Sequence, residues 1–493
     1  MPDERPDREQ LIEEAKRNPE GVVDVLLALW DRCSLLEKRV AELERNSRNS
    51  SKPPSSDRSN LTKPPKPNPK SQRESSKKKP GGQPGHKGST LELVGNPDYV
   101  IDCKIEPGTR CSKCGELLPQ NGGEHSDCEP EVRQVFELPP IRLEITEYRA
   151  ERIICPGCGT LNTGQFPEQV KGRAQYGPNL KATAIYLGSY QLIPFERLSE
   201  LFRDLFACPL SQGTLANFVK SGGRQAAEAV EFIREQIKKS SLIHADETGC
   251  RVHGLRHWLH VASTSAYTCY MIHAKRGFEA LQDFGILQGY QGNVIHDYYS
   301  SYYRYSECNH FQCNAHILRE LTYLHEEMDQ QWAKDMKGVL VEAKILRDRE
   351  NRRDPDQRRI IGEQTRDRIQ SRYAEIVLEG YTKNPEPEPI PGKRGKPARG
   401  KPLNLLIRLE NQYEEIMGFF EYDDIPFDNN LAERDLRMMK TREKISGTFR
   451  SDQHPEAFCN LRSVISTLKK QGSSVIGGIT AMLHRPAEMF EKA

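Results

Sequence analysis

Asp246, Asp297 and Glu433 stand out from the other acids of the chain by their local settings. Asp246 follows the apolar run Leu242-Ile243-His244-Ala245, and Asp297 ends the run Val294-Ile295-His296. Glu433 lies just inside Asp428-Asn429-Asn430-Leu431-Ala432-Glu433-Arg434, where Asp428 or Asn429 can cap a helix and Leu431 and Leu436 can face a core. Carboxylates gathered at strand ends and on a facing helix suit hard Mg²⁺ or Mn²⁺, which take oxygen ligands and keep open water positions. Two such ions about 4 Å apart can activate an attacking oxygen and stabilise the leaving oxygen of an in-line displacement. One acid has to bridge the pair, and Asp246 is the candidate. Any one of 70 acidic residues is ordinarily a surface charge, so the argument rests on all three occupying fitting elements in a fitting order.

Those elements can be read from the pattern. Leu242 to Ala245 reads as the approach of a strand to Asp246, with amphipathic β texture again near Gly249 to Val252. A turn at His253-Gly254-Leu255 precedes strands at His257 to Ala262 and Tyr267 to Ile272, and Arg276 to Phe284 reads as helical. Gly292 to His296 is a fourth strand ending at Asp297, and Phe311-Gln312-Cys313 a fifth. Three strands, a helix and a fourth strand, with acids on the first and fourth, is a ribonuclease H-like order. Strands one and four are neighbours in that sheet, so Asp246 and Asp297 would meet across the 50 residues between them. His244, Glu247 and His296 flank the pair and could tune it or handle protons.

Here the chain resembles a known family. His244-Ala245-Asp246-Glu247-Thr248, His257-Trp258-Leu259-His260-Val261, Cys313-Asn314-Ala315-His316 and Asp428 to Arg434 are similar to segments of the insertion-sequence 66 family of bacterial DDE transposases. The likeness extends to a coiled coil, a Ser-Lys-Pro-Pro-Ser linker at Ser51 to Ser55 and a four-cysteine module, and so covers almost the whole chain. It implies a metal-dependent polynucleotidyl transferase with Asp246, Asp297 and Glu433 in the catalytic roles and two Mg²⁺ or Mn²⁺ ions. It also implies DNA partners (element ends and target) and accessory proteins of the same element. Cys313-x-x-His316 resembles a Cys-or-Asp-x-x-His signature of several DDE groups and marks an auxiliary site; a zinc set of His310, Cys313 and His316 is a lesser alternative. Beyond Glu433, the basic residues Arg434, Arg437, Lys440, Arg442 and Lys444 would grip phosphates. Where many family members carry an Arg-Lys-Asn-Trp run, this chain has Glu443-Lys444-Ile445-Ser446, which leaves the DNA contact there open.

The remaining chain divides by composition. Residues 1–48 carry apolar positions Val22, Leu26, Leu29, Cys33, Leu36, Val40 and Leu43 at alternating gaps of four and three, the heptad of a self-associating coiled coil. Residues 49–95 form a Ser-, Pro-, Lys- and Gly-rich linker whose basic run, Lys63 to Lys87, is either a solvated tail or an arm that neutralises phosphates. Within 96–170, Cys111-x-x-Cys114 and Cys155-x-x-Cys158, each followed by Gly, have the form of two zinc knuckles. Four thiolates would close the shell of one structural Zn²⁺, and Val132 to Leu138 and Ile141 to Arg149 read as strands between them; Cys128 and His125 are bystanders. Residues 171–240 are helical, with Phe195 to Phe206, a break at Cys208-Pro209-Leu210, and a helix from Gln212 to Lys220 capped by Ser211, a helix-turn-helix-like DNA-binding region. The core would then run over 241–317 and 411–493, split by a helical insertion at 318–410 whose loop carries Lys393, Arg394, Lys396, Arg399 and Lys401.

A length of 493 residues requires several domains, and a net charge of only +2 says little about partners. No apolar run approaches the roughly 20 residues that cross a bilayer, and Met1 to Gln10 lacks a signal-peptide core, which points to a cytoplasmic protein and no membrane; the family resemblance implies association with the nucleoid. Thirteen cysteines in that compartment do not suggest a disulfide framework. Two other readings stay open: a non-catalytic DNA-binding protein derived from a transposase, and a ribonuclease H-like nuclease or resolvase that cuts without joining.

Overall fold

A computed structural model describes residue 13 and residues 16–44, 91–118, 131–139, 141–351, 361–388 and 397–484. The linker up to residue 90, Cys128, His125 and the loop cations Lys393, Arg394 and Lys396 lie outside the described residues. Contacts divide the chain into two units, 1–62 with 145–493, and 63–144.

In the larger unit, helix α1 (Pro19–Glu44) forms where the heptads lie, and the seam residues Leu29, Cys33 and Leu36 are exposed. Strands β1 (Arg152–Ile154) and β2 (Leu161–Thr163) pair antiparallel around the second knuckle. The expected strands at 132–138 and 141–149 do not form. Their apolar residues have no core to enter, Val135 and Ile145 being 89% and 90% exposed, so β propensity there has nothing to pack against.

Helices α2 (Pro178–Ile185), α3 (Phe195–Phe206) and α4 (Gln212–Lys238) follow. Ser211 caps α4 by accepting from the Thr214 N–H at 3.1 Å. The helix does not stop at Lys220: it crosses Gly222-Gly223 and runs on to Lys238, burying Ala226, Ala229, Val230, Ile233 and Ile237 in the main core. This corrects the short helix expected there. Gly223 is needed because a Cβ at this position would stand 2.5 Å from Ala457 Cα on a later helix. Gly223→Leu should therefore cost more than the roughly 1–3 kcal/mol usual for overpacking, read as a lower urea midpoint.

The central sheet comprises β3 (Leu242–Val252), β4 (Leu255–Ser263), β5 (Thr268–His273), β6 (Asn293–His296) and β7 (Asn309–Gln312) in the order β5-β4-β3-β6-β7, with helix α5 (Phe278–Phe284) between β5 and β6. β3, β4 and β5 form an antiparallel meander, and β6 and β7 join parallel to β3. The odd-numbered Ile243 and Ala245 face α4, whereas Cys250 and Val252 face the opposite layer.

After β7, helices α6 (Asn314–Met328), α7 (Gln331–Asn351), α8 (Glu363–Lys383), α9 (Lys401–Asn411) and α10 (Tyr413–Glu421) enclose a second core around Trp332, Met336, Tyr373 and Leu406. That core takes in Ile295 and Phe311 of the sheet, so the insertion is fused to the sheet flank. The chain returns through α11 (Asn430–Ser446), α12 (Gln453–Lys470) and α13 (Val475–His484). On α12, Ser463 and Thr467 hydroxyls accept the Tyr270 and Thr268 N–H groups of edge strand β5, which covers that edge. Among the described residues no helix is long and apolar enough to cross a membrane.

Candidate active site

The parallel register of β3 and β6 brings the first two acids together. His244 lies opposite Ile295, so two residues further on Asp246, still within β3, and Asp297, just past the end of β6, stand side by side. Both point to the face that α11 covers, where Ala432, Leu436 and Met439 pack on Leu259 and Val261.

Helix α11 is fastened at both ends. Asn429 does not cap it with its side chain. Its amide instead donates to the Ala245 carbonyl at 2.7 Å, and its Oδ1 lies 2.9 Å from His244 Nδ1. Its backbone N–H donates to Cys313 Sγ at 3.2 Å. The helix-start bond comes from Asp428, whose Oδ1 accepts the Asn430 N–H. At the far end, Phe449 exchanges backbone bonds with Arg251 and His253 at the β3–β4 turn. These bonds fix Glu433 beside Asp246 of β3, near the end of β6.

The electrostatics show how crowded the three carboxylates are. Burial pushes the Asp246 carboxyl well above the usual range, with Glu247, Asp297 and Glu433 adding repulsion. Burial and Glu247 push Asp297 up to about 7, against the pull of Arg276. Burial also raises Glu433, offset in part by Arg319. The donors are all oxygens, and their mutual repulsion is what a divalent cation would relieve, so they fit Mg²⁺ or Mn²⁺. A carboxyl whose folded pKa lies above its unfolded value of about 3.9 holds more protons folded than unfolded between the two, so stability falls as pH rises through that window. Metal-free protein should accordingly lose on the order of a few kcal/mol between about pH 4 and 7 that Asp297→Asn does not lose, measured as urea midpoints across pH.

Sequence reading named Glu247 beside this pair but not the residues that hold it, Arg276 and Tyr302. Glu247 is 3% exposed and accepts from Arg276 Nε at 2.7 Å and from the Tyr302 hydroxyl at 2.7 Å. Arg276 also reaches Asp297 Oδ2 at 3.6 Å and lies 4.0 Å from the centre of the Tyr299 ring. Nothing local marks Arg276, since its partners are 29 and 21 residues away. His244 and His296 are buried, and burial pushes them down to about 4 and about 3, so neither carries charge near neutral pH.

Cys313 and His316 stand beside Glu433, their ligand atoms and a Glu433 oxygen lying within 4.8 Å of one another. His310 does not join them: its Nε2 lies 2.8 Å from the Tyr305 carbonyl and its Nδ1 3.0 Å from His296. Of the basic residues on α11, Arg434, Arg437 and Lys444 are exposed. Lys440 donates to the Gly249 carbonyl, and Arg442 lies 3.4 Å from the centre of the Phe449 ring, so these two brace the helix.

The knuckles share one loop shape, each within its own unit. Cys111 N–H donates to the Glu116 carbonyl and Gly115 N–H to the Cys111 carbonyl, with Gly115 at φ +77°. Cys155 N–H donates to the Thr160 carbonyl and Gly159 N–H to the Cys155 carbonyl, with Gly159 at φ +74°. Backbone bonding at Cys114 lowers the Cys111 thiol pKa, and the Thr160 hydroxyl lowers that of Cys158, which favours thiolates.

Comparison with known proteins finds no curated protein that matches the chain. A family of unknown function matches residues 3–92, and the model of the Transposase IS66 family matches residues 173–457. That second match spans α2 to α11 and the start of α12, including the sheet, all three acids and the helical insertion, and the chain belongs to the IS66 transposase family.

Proposed function

We propose that the protein is a DDE transposase with a ribonuclease H-like core, in which Asp246, Asp297 and Glu433 hold two Mg²⁺ or Mn²⁺ ions. The observation that carries this reading is the register of β3 and β6, which sets Asp246 beside Asp297 under the helix that bears Glu433. The ions, when bound, supply the charge that activates the attacking oxygen and offsets that of the leaving oxygen. Arg276 and Glu247 keep Asp297 in place from the other side of the strand ends. Exposed Arg434, Arg437 and Lys444 bind the DNA backbone near the scissile phosphate. Water first attacks an element end to free a 3′-hydroxyl, and that hydroxyl then attacks target DNA. No Ser or Tyr nucleophile is needed.

Further parts follow the same reading. The knuckle cysteines Cys111, Cys114, Cys155 and Cys158 are thiolate ligands for structural Zn²⁺, on the strength of their matching loops and thiolate-favouring bonds. The exposed seam of α1 pairs with a second copy, which allows two element ends to be cut together. Accessory proteins of the element complete the assembly, which works in the cytoplasm on the nucleoid. The pair α3 and α4 contacts DNA only through surfaces the core leaves open, because the inner face of α4 is buried.

Incubating the protein with labelled element-end DNA, a target plasmid and Mg²⁺ or Mn²⁺ tests this reading. Joined end–target product is expected. Cutting without joining would favour the nuclease, and binding without cutting, with accessory proteins supplied, the non-catalytic binder.

A further inference from the structure

Three donors of different chemistry meet at the start of α6: the thiol of Cys313, the imidazole of His316 and the carboxylate of Glu433. His316 Nδ1 lies 4.0 Å from Glu433 Oε1, too far for a hydrogen bond. Both atoms are buried and neither has a hydrogen-bond partner among the described residues. Buried polar atoms left without partners call for an explanation, and a cation site is one. The thiol is buried and accepts the Asn429 N–H, an arrangement that also steadies a metal-bound sulfur.

We propose that Cys313, His316 and Glu433 form a second, separate cation site, one that selects Zn²⁺ or a similar borderline ion over Mg²⁺. Selectivity follows from the donors, since thiolate and imidazole suit zinc and are poor ligands for magnesium. Ligand atoms around tetrahedral zinc stand roughly 3.3–3.8 Å apart, given bonds of about 2.0–2.3 Å. Drawing the three atoms in from within 4.8 Å needs shifts of up to about 1 Å, which small rotations of the partly buried Glu433 and His316 side chains can supply. Three protein ligands leave a fourth position for water. Arg319, 3.8 Å from Glu433 Oε1 with its side chain 29% exposed, has room to swing outward as the ion enters.

An ion held by Cys313 and His316 competes for the Glu433 carboxylate with ions held by Asp246 and Asp297. On the proposed transposase reading, zinc bound here withdraws Glu433 from Asp246 and Asp297, making the site an inhibitory switch.

The test uses Co²⁺ as a spectroscopic stand-in for Zn²⁺ on the full chain. Wild type is titrated beside His316→Ala, Glu433→Gln and Cys313→Ser, each first shown by circular dichroism to be folded. Wild type should bind one more equivalent than each variant, or bind it more tightly than any of them by well over the roughly 10–100-fold that loss of an outer partner costs. The extra equivalent should carry a thiolate-to-cobalt band that disappears in Cys313→Ser and that excess Mg²⁺ does not displace from wild type. Equal stoichiometry and identical spectra in wild type and His316→Ala would overturn the site, since His316 belongs to this set and not to the three acids. This readout needs no DNA cleavage, so it stands or falls apart from the transposase reading. Where cleavage is observed, micromolar Zn²⁺ should suppress it in wild type and do so more weakly in His316→Ala; equal suppression in both would sink the switch.

Discussion

Asp246→Asn is expected to lower the rate of end cleavage by on the order of 10³-fold or more while DNA binding stays unchanged. Asp246 is the acid that every other member of the cluster touches electrostatically: Glu247, Asp297 and Glu433 all raise its pKa. An amide in its place removes one negative charge and offers a single neutral oxygen, too little to share between two divalent ions. Loss of an ion's charge from the transition state costs several kcal/mol, and each 1.4 kcal/mol is about tenfold in rate. The substitution is nearly isosteric, and the strand pairing of Asp246 with Val261 runs through the backbone, so the fold should be retained. Single-turnover cleavage, with binding measured separately in Ca²⁺, separates the two effects. A loss of less than tenfold would place the bridging role elsewhere.

Arg276→Ala should be the most damaging change to stability near the site. The Glu247 side chain is 1% exposed and takes both of its charged contacts from Arg276, so removing the cation leaves a buried carboxylate with only Tyr302 as partner. Breaking a buried pair from one side typically costs about 3–5 kcal/mol. Glu247→Gln should cost less, because a neutral side chain tolerates burial, and the double variant should recover part of the Arg276→Ala loss. Urea unfolding of the four proteins closes the cycle, and strictly additive effects would contradict the pairing. Arg276 also holds the Asp297 pKa down, so Arg276→Ala should move the rising limb of the cleavage pH profile to higher pH.

The central sheet was legible in the sequence because its strands are strongly patterned and closed by turn residues. Leu242 to Ala245 and Val294 to His296 announce themselves, and His253-Gly254 falls in a tight turn with both residues at positive φ. The place of Asp246 and Asp297 follows from strand order alone. What did not follow depends on partners far along the chain. Asn429 reads as a helix cap, yet it serves as a clasp to His244 and Ala245, 185 and 184 residues earlier. Lys440 and Arg442 read as DNA contacts because basic residues on a helix ordinarily face solvent, but the Gly249 carbonyl and the Phe449 ring draw them inward. The stop expected at Lys220 failed for a similar reason: Gly222 and Gly223 look like breakers until α12 is found packed against them. Between the knuckles, β-prone composition had no sheet to join.

The most direct test of the three-acid pocket is strand transfer by wild type, Asp246→Ala, Asp297→Ala and Glu433→Ala on one labelled element end, all first shown to bind that DNA equally. Wild type should cut and join with Mg²⁺ or Mn²⁺, and each variant should do neither. A Glu433→Ala protein that still cuts and joins would show that the third ligand lies elsewhere, and activity in Asp246→Ala or Asp297→Ala would contradict the account at its centre.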